Sequence, residues 1–461
     1  MSRIIQLPAK MEKNRRKSIT WQKHKNISSK NKIVLNSFYS NLAGRDLLKN
    51  LILPEKSEIS SLKILTKYRS ELENELSDIL SYWEKNTVDA AFGGFYGKLD
   101  NVNKVYNEAP KGSVLNSRIL WTFSAAFNLN GNEDYLPIAE RAYQYIVTHF
   151  IDKKNGGIYW SVDYQGNMLD TKKQIYALTF AIYGLSEYYH ATKNETARKL
   201  AIDLYHLIVE HSYDKKYGGY IEALTADWQE IKDLRLSDKD ANEKKSMNTH
   251  LHVLEGFANL YKVWPNGDLK QKIEELIHIF FDHIIDFKSN HLHLFFDGEW
   301  NVRSHIISYG HDIEAAWLVQ EAVEIISNEK LLEKIKKYSI LMADATIEGL
   351  DKDGGLWYEY DVNKNHLIKE KHWWPQAEAM IGFFNAWQIT QKESYLTHSF
   401  NSWKFVQKHI LDTNNGEWFW GVTENYELMD DDKVGLWKCP YHNGRACIEL
   451  ILRIKKVEDA L

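Results

Sequence analysis

The sequence predicts an all-α protein, an (α/α)6 barrel made of six helical hairpins. A short motif of glycines followed by aromatic residues recurs six times at intervals of about 62 to 73 residues, although the fourth copy has lost its glycines. Apolar residues at helical spacing separate the copies, for example in residues 136–146 and 176–188. The first and last units are as aromatic as the middle ones, so the array lacks the polar end repeats of an open solenoid and is predicted to close into a ring. The copies begin at Gly93, Gly156, Gly218, His291, Gly354 and Gly416.

The repeated motifs are expected to form short β-hairpins or loops on one rim of the barrel, where glycine permits backbone turns that other residues resist. The chain contains 16 Trp and 26 Tyr. Most of these rings are expected to fill space between helices, but their concentration on the rim suits stacking on the apolar faces of sugars. The rim is therefore the predicted ligand-binding end of the barrel.

The first part of the chain differs in charge from the rest. Residues 1–60 carry 13 Lys or Arg and four Asp or Glu, whereas the whole chain has a net charge of −5. Helical periodicity begins near Ile64 and runs to Trp83. We therefore predict a basic N-terminal extension at residues 1–57 and a barrel domain at residues 58–461. The extension is interpreted as a disordered segment, with two alternatives: a start-codon artefact, for which Met11 is a candidate start, or a basic tether for a polyanion.

Composition argues against several classes of function. The acidic barrel domain argues against nucleic acid as a partner, because phosphate binding needs clustered cations on the folded surface. No run of 18 apolar residues is present to cross a membrane, and we find no secretory apolar segment at the start. The spacing of Cys439 and Cys447, the two cysteines, fits neither a redox pair nor a zinc site, so both are predicted to be buried. The predicted protein is a cytoplasmic monomer or weak homodimer.

Three histidine motifs concentrate the candidate chemistry in the second half of the chain. In MNTHLH, Asn248 and His252 stand four residues apart and share one face of a helix, whereas His250 points away from that face. Two histidines two residues apart on a helix do not converge on one ion, so this pair is not predicted to bind zinc. In YGHDIEAAWL, Glu314 follows His311 by one turn and is expected to hydrogen-bond its imidazole.

The third motif, WKCPYHNGRACIEL, is the most specific segment of the chain. Pro440 is expected to break the backbone just before a new helix, so that His442 lies at a helix start. The helix start would lower the pKa of His442 and keep the imidazole neutral, as a proton acceptor must be. Elsewhere, Arg118 lies on a helix lined by aromatic and small residues, and a lone arginine there needs an internal carboxylate or an oxygen-rich ligand.

These segments together resemble the N-acylglucosamine 2-epimerase superfamily over roughly residues 60–455. The resemblance implies an (α/α)6 barrel and, from its disaccharide-specific members, a cofactor-free and metal-free reversible inversion at carbon 2 of the reducing-end sugar of a β-1,4-linked disaccharide. The segments that carry it are RILWTFSAAF, KKQIYALTFAIYGLSEYY, KSMNTHLHVLEGFANLY, YGHDIEAAWL, KHWWPQAEAM and WKCPYHNGRACIEL.

The resemblance also implies a role for each candidate residue. His311 and His442 would share the acid and base steps, and Arg118 and Tyr176, with His252 behind them, would stabilise an enediolate. Glu314 would fix the tautomer of His311. The substrate would be held by a hydrogen bond and by aromatic rings, with Asn248, Trp374, Trp437, Trp373 and Trp357 as the predicted binding residues.

Three other functions are compatible with parts of this pattern. An aldose–ketose isomerase of the same superfamily would use two histidines and an enediolate but return the proton to carbon 1. A glycoside hydrolase or lyase would depend on a carboxylate pair, for which Asp312 or Glu378 are candidates. A sugar-binding barrel without catalysis would keep the tryptophans and need no histidines.

Overall fold

The computed structural model describes residues 55–460, with side chains from residue 63, and contains twelve α-helices within that range. The helices, numbered in chain order, are α1 (Glu55–Thr87), α2 (Ser113–Asn130), α3 (Leu136–Tyr145), α4 (Ile175–Thr192), α5 (Glu195–His211), α6 (Met247–Val263), α7 (Gly267–Ile279), α8 (Tyr309–Ile325), α9 (Glu329–Thr346), α10 (Trp373–Thr390), α11 (Glu393–Phe405) and α12 (Tyr441–Glu458). A π-helical turn extends α3, α7 and α11, over Ile146–Phe150, Phe280–Ile284 and Val406–Ile410.

The helices form two concentric rings. The even-numbered helices make the inner ring, in which each packs against the next and α12 returns to contact α2. The odd-numbered helices surround them, and each of α3, α5, α7, α9 and α11 packs on the inner helix that precedes it. The sixth pair joins α12 to α1, so the first and last described helices close the ring together. The predicted (α/α)6 barrel is confirmed.

Sequence patterns explain which helices lie inside. Each of the first 14 residues of α2, from Ser113 to Ala126, is buried, as expected for a helix surrounded on all sides. Outer helices bury one face and begin with polar caps, because the side chains of Asn194, Asn266 and Asn328 accept hydrogen bonds from the first backbone amides of α5, α7 and α9. Residues 136–145 and 175–192, which showed the apolar spacing, are an outer helix and the inner helix of the next pair.

The glycine-aromatic motifs lie between an outer helix and the next inner helix, at the end of the barrel where the inner helices begin. Short strands there are β1 (Lys111–Gly112), β2 (Ser161–Val162), β3 (Met168–Asp170), β4 (Lys173–Gln174), β5 (Ala223–Leu224), β6 (Lys245–Ser246), β7 (Phe295–Phe296), β8 (Ile306–Ser308), β9 (Glu359–Asp361), β10 (His366–Ile368), β11 (Lys371–His372) and β12 (Gly421–Val422). They pair antiparallel as β1-β2-β3, β4-β5, β6-β7, β8-β9-β10 and β11-β12.

The fourth motif keeps the turn although it lacks glycine. Asn290 has φ 63°, close to the values of Gly156 (77°) and Gly218 (71°) at the same position of the second and third motifs. Asparagine is one of the few residues that enter this left-handed region readily. The irregular copy is therefore a true member of the repeat.

Three sequence-based expectations concern the rest of the chain. Cys439 and Cys447 are both free and buried, as predicted. Among the described helices, none is sufficiently long and apolar to traverse a lipid bilayer. The predicted extension at residues 1–57 lies almost wholly outside the described residues, since α1 begins at Glu55.

Candidate active site

The candidate residues converge on one place, the mouth of the inner ring. They lie in the first two turns of the inner helices, at the same end of the barrel as the glycine-aromatic hairpins. A ring of helix starts aims its side chains at a shared axis, which explains why residues far apart in the chain meet there. From α2 to α12 these residues are Arg118, Tyr176, Asn248, His252, His311, Glu314, Trp374 and His442.

His442 is held by a carboxylate. Its Nδ1 lies 2.7 Å from Oε1 of Glu378, and within the described residues its Nε2 has no hydrogen-bond partner in the protein. Burial, together with the positive charges of Arg118 and Arg445, holds the pKa of His442 well below its usual range. This direction agrees with the sequence-based prediction, and burial is the largest cause of the shift.

Arg445 links two buried carboxylates below the histidine. Its Nη2 donates to Oε1 of Glu314 and to Oε1 of Glu378, each at 2.6 Å, and Oε2 of Glu378 accepts from Nε1 of Trp317 at 3.0 Å. Burial and the adjacent Glu378 raise the pKa of Glu314 to about 7. Glu314, Glu378 and His442 are close enough together to bind a cation. The Arg445 guanidinium already lies against both carboxylates, so these residues as arranged do not fit a metal site.

His311 has a hydroxyl partner. Its Nδ1 lies 2.8 Å from Oγ of Ser308, and burial, with a smaller effect of His252, lowers the pKa of His311 to about 3. The predicted hydrogen bond between His311 and Glu314 is wrong, because the Glu314 carboxylate accepts from Arg445. Both Ser308 and Glu314 are three residues from His311, and of the two it is Ser308 that forms the hydrogen bond.

His252 belongs to a third buried pair. Its Nδ1 lies 2.8 Å from Oε2 of Glu255, whose Oε1 accepts from the Tyr441 hydroxyl at 2.5 Å and also from Arg445. Although burial opposes ionisation, Arg445 and His252 lower the pKa of Glu255 to about 2. His250 lies elsewhere, with Nδ1 2.7 Å from the backbone oxygen of Ser246. The two histidines of MNTHLH therefore have different partners.

Arg118 is a buried cation without a carboxylate partner among the described residues. Its Nη2 donates to the Tyr176 hydroxyl at 2.7 Å, and its Nε makes no hydrogen bond. The guanidinium carbon lies 4.1 Å from the ring centre of Phe180 and 4.6 Å from that of Tyr441. A buried charge held in this way retains the capacity to bind oxygen atoms of a ligand.

Two half-buried tryptophans border the histidines. The ring centre of Trp374 lies 4.7 Å from that of His311 and 5.7 Å from that of His442. This approach depends on Gly310, because a Cβ atom there would come within 2.6 Å of the Trp374 ring. Trp437 lies 5.9 Å from Tyr176 and 5.7 Å from Trp160. Both rings are half-buried and so keep part of their apolar faces accessible.

The other two predicted binding tryptophans are placed differently. Trp373 is buried in the wall, with its ring centre 4.4 Å from that of Trp420. Trp357 lies over the ammonium of Lys371 at 4.0 Å, and among the described ring contacts none joins it to the histidines. The structure therefore does not bring Trp357 to the site. Its neighbour Tyr358 approaches Trp374 instead, at 6.5 Å, because consecutive residues of an extended segment point to opposite sides.

Asn248 lies beside a cavity at the edge of this group. Its Oδ1 is buried and has no hydrogen-bond partner, so it remains available to a ligand hydroxyl. The cavity is also lined by residues from the segment that leads into α6, among them Glu222, Leu236, Asp240 and Ser246.

Sequence analysis missed the carboxylates that orient the histidines. Glu378 was considered only as a hydrolase candidate, although it occupies the same position on α10, six residues into the helix, as Glu314 does on α8. Glu255 follows His252 by three residues, a spacing that predicts contact on a helix. The shared helix position is a signal for Glu378, and the three-residue spacing is the signal for Glu255.

The chain resembles known epimerases along almost its whole described length. The profile of the N-acylglucosamine 2-epimerase family matches residues 94–446. A cellobiose 2-epimerase from Bacteroides fragilis is 47% identical over 385 residues, which cover 83% of this chain and 98% of that protein. One from Dictyoglomus turgidum is 39% identical over 398 residues, covering 85% of this chain and 100% of that protein.

A solved structure of cellobiose 2-epimerase from Bacillus thermoamylovorans superposes with a TM-score of 0.80 at 37% identity, covering 84% of this chain and 100% of that chain. A D-mannose isomerase structure has a TM-score of 0.72 at 21% identity, covering 83% of this chain and 98% of that chain, and shows the fold alone. The extent of the family match and the identity to these relatives lead to one conclusion: the chain is an epimerase that belongs to the N-acylglucosamine 2-epimerase family.

Proposed function

We propose that this enzyme reversibly inverts carbon 2 of the reducing-end glucose of β-1,4-linked disaccharides, converting cellobiose to glucosyl-mannose and lactose to epilactose. The observation that carries the proposal is the pair of histidines, half-buried His311 and buried His442, that both lie against the half-buried ring of Trp374. The activity in the names of the similar proteins supports the same choice of substrate.

Ring opening is the first requirement, because carbon 2 of the cyclic sugar carries no acidic proton. A proton must move from the anomeric hydroxyl to the ring oxygen. His311 suits this exchange, since the Ser308 hydroxyl can either donate to its Nδ1 or accept from it. The neutral imidazole can therefore present Nε2 as an acceptor or as a donor.

Removal of the carbon 2 proton from the open-chain aldehyde is the second requirement. We assign this step to Nε2 of His442, because Glu378 accepts the Nδ1 hydrogen and stabilises the imidazolium that forms. Return of a proton to the opposite face of the enediolate, from the His311 side, gives the epimer. General acid and base groups typically contribute about 10² to 10⁴ each.

The enediolate is the charged species that the site must stabilise. Arg118 is the candidate donor, because its guanidinium is buried, has no carboxylate partner among the described residues and is oriented by the Tyr176 hydroxyl. His252 lies behind Tyr176, at 5.0 Å between ring centres, and is itself fixed by Glu255. Fixed donors in a buried site act strongly on developing charge, since they need no reorganisation during the reaction.

Substrate binding is assigned to the aromatic rings and to one amide. Trp374 and Trp437 are half-buried and would stack on the two sugar rings. Asn248 would bind a hydroxyl through its unpaired Oδ1. The proposed ring opening and proton transfers use no cofactor, so we expect turnover to be unchanged by a chelator.

One alternative reaction has specific support. A D-mannose isomerase from Marinomonas mediterranea is 23% identical over 401 residues. An aldose–ketose isomerase would form the same enediolate and return the proton to carbon 1. A hydrolase is disfavoured, because Asp312 is bound by His291 and Glu378 by both Arg445 and His442.

The test is incubation of the purified protein with cellobiose in heavy water without added cofactor, with and without EDTA, followed by proton NMR. Glucosyl-mannose that carries deuterium at carbon 2 is the expected product. A ketose would favour the isomerase, and free glucose would favour a hydrolase. No change in the sugar would contradict the proposed substrate.

A further inference from the structure

Ion pairs whose lysines are all buried connect the hairpins of the rim to the segments that enter the inner helices. In five of the six motifs within residues 55–460, an aspartate that begins the turn also binds a lysine further along the chain. The Lys173 Nζ, for example, lies 2.7 Å from Oδ2 of Asp152, and both side chains are buried. The five pairs are Asp89–Lys111, Asp152–Lys173, Asp214–Lys245, Asp351–Lys371 and Asp412–Lys433.

The fourth motif lacks this lysine. Lys173 and Lys371 stand two residues before α4 and α10, and Ile307 stands at the same position before α8. Glycines make room for the lysines, since a Cβ at Gly157 would lie 3.4 Å from Cδ of Lys173, and one at Gly355 would lie 2.8 Å from Cδ of Lys371. The fourth motif has His291 at that glycine position, so it contains neither this lysine nor this glycine.

His291 makes a different connection. Its Nδ1 lies 2.7 Å from Oδ2 of Asp312, and Oδ1 of the same carboxylate accepts from the Leu292 backbone amide at 2.9 Å. Asp312 is fully buried and lies in the first turn of α8, next to His311. In this pair the carboxylate is on the inner helix and the histidine is on the hairpin. In the other five pairs the carboxylate is on the hairpin and the lysine precedes the inner helix.

The start of α8 has no side-chain cap, and among the described inner helices the same is true of α2, α4, α10 and α12. On α6, the residue before the helix is Ser246, whose Oγ accepts from the backbone amide of Thr249 at 3.1 Å and so caps the helix. Ser308 occupies the same position before α8, but its Oγ contacts His311 and makes no cap. The hydroxyl that would hold the helix start is used to orient the histidine.

We propose that His291 and Asp312 form a positioning pair that holds the first turn of α8, so that Ser308 and His311 keep their mutual geometry. The inference rests on the proposed function, in which His311 transfers protons. The pair touches no reacting atom and acts through the helix start. The fourth motif, which lacks the glycines and the lysine, is the motif that precedes α8. Holding His311 in place is the functional reason for this difference.

The test compares Asp312→Ala with Asp312→Asn and with Lys111→Met, using kcat and KM for cellobiose and the thermal midpoint. Asp312→Ala removes both anchoring bonds and should lower kcat by about 10², with KM within about twofold, because small misplacement of a reacting group has effects of this size. Asp312→Asn can still accept from Leu292 and donate to the other tautomer of His291, and should keep kcat within about threefold of wild type. Lys111→Met breaks the equivalent pair of the first motif and should lower the thermal midpoint with little change in kcat.

A kcat for Asp312→Ala no lower than that of Lys111→Met would overturn the proposal, as would an equal loss in Asp312→Asn and Asp312→Ala. If Asp312→Ala does not fold, His291→Ala replaces it, since Asp312 then keeps the bond from the Leu292 amide. Imidazole nitrogen NMR, with His311 assigned from a His311→Gln variant, gives a readout that needs no substrate. A changed His311 resonance in Asp312→Ala but not in Lys111→Met supports the pair even if wild type leaves cellobiose unchanged, and an unchanged resonance contradicts it.

Discussion

Replacing Glu378 by glutamine removes the negative charge that faces His442 while keeping the size of the side chain. Oε1 of Glu378 accepts from His442 and from Arg445, and Oε2 accepts from the Trp317 indole. A glutamine has one oxygen for these three donors. The oxygen is expected to stay at the Oε1 position, where it satisfies two donors, so that the new amide nitrogen faces the Trp317 N–H.

The expected effect on catalysis follows from that arrangement. The tautomer of His442 is preserved, but the imidazolium loses its ionised partner, and a hydrogen bond to a charged group is worth about 1.5 to 3 kcal/mol. At about 1.4 kcal/mol for each factor of ten, kcat should fall by about 10- to 100-fold, with KM nearly unchanged. Initial rates of cellobiose epimerisation, followed by NMR, measure both constants.

Glu75→Gln is the matched control. Glu75 is also buried and accepts an indole hydrogen bond, from Nε1 of Trp418 at 2.7 Å, but it lies on the outer helix α1. The control should keep the kcat of wild type. Turnover by Glu378→Gln within threefold of wild type would refute the assignment of Glu378 as the partner of the base.

Three other contacts can be tested with the same assay or by unfolding. Arg118→Met should lower kcat by about 10² to 10³, since it removes a donor to the enediolate; unchanged kcat would exclude that role. Trp437→Ala should raise KM for cellobiose by about tenfold and leave inhibition by glucose unchanged, because the proposed contact of this ring is with the second sugar of the disaccharide. Burial raises the pKa of Glu75 to about 7, so this group favours folding most when protonated, and its contribution falls as pH rises from about 4.5 to above 7. The free energy of unfolding of wild type, measured with denaturant, should therefore fall by about 3 kcal/mol relative to that of Glu75→Gln across that interval. A constant difference between the two proteins would contradict the raised pKa of Glu75.

The repeat was sufficient to predict the barrel, but the spacing of residues within each segment did not predict which side chains contact each other inside it. Six motifs with helical segments between them were sufficient to predict two rings of helices and a closed ring. The partner of His442 was missed because Glu378 is 64 residues away in the chain. Such a contact depends on which inner helices begin next to each other at the mouth of the barrel, and no local pattern in a single sequence shows this arrangement.

Two errors show where local patterns mislead. A spacing of three residues predicted that Glu314 binds His311, yet Ser308 lies three residues away on the other side and is the observed partner. Trp357 and Tyr358 are equally aromatic, and only the direction of the extended segment decides which one approaches Trp374. In both cases the sequence shows which residue types are present, but it does not show which side chain faces the site.

The pairing of α1 with α12 has a consequence for the order of folding during synthesis. Arg69 on α1 binds Glu458 on α12 at 2.8 Å, a contact between residues 389 positions apart. The ribosome therefore releases five helix pairs before the helix that completes the ring is available, and domains are made from the N-terminus onward. Because α12 also carries His442 and Arg445, a nascent chain acquires its proposed base only when the ring closes, so an unclosed barrel is expected to bind sugar poorly and to transfer no proton.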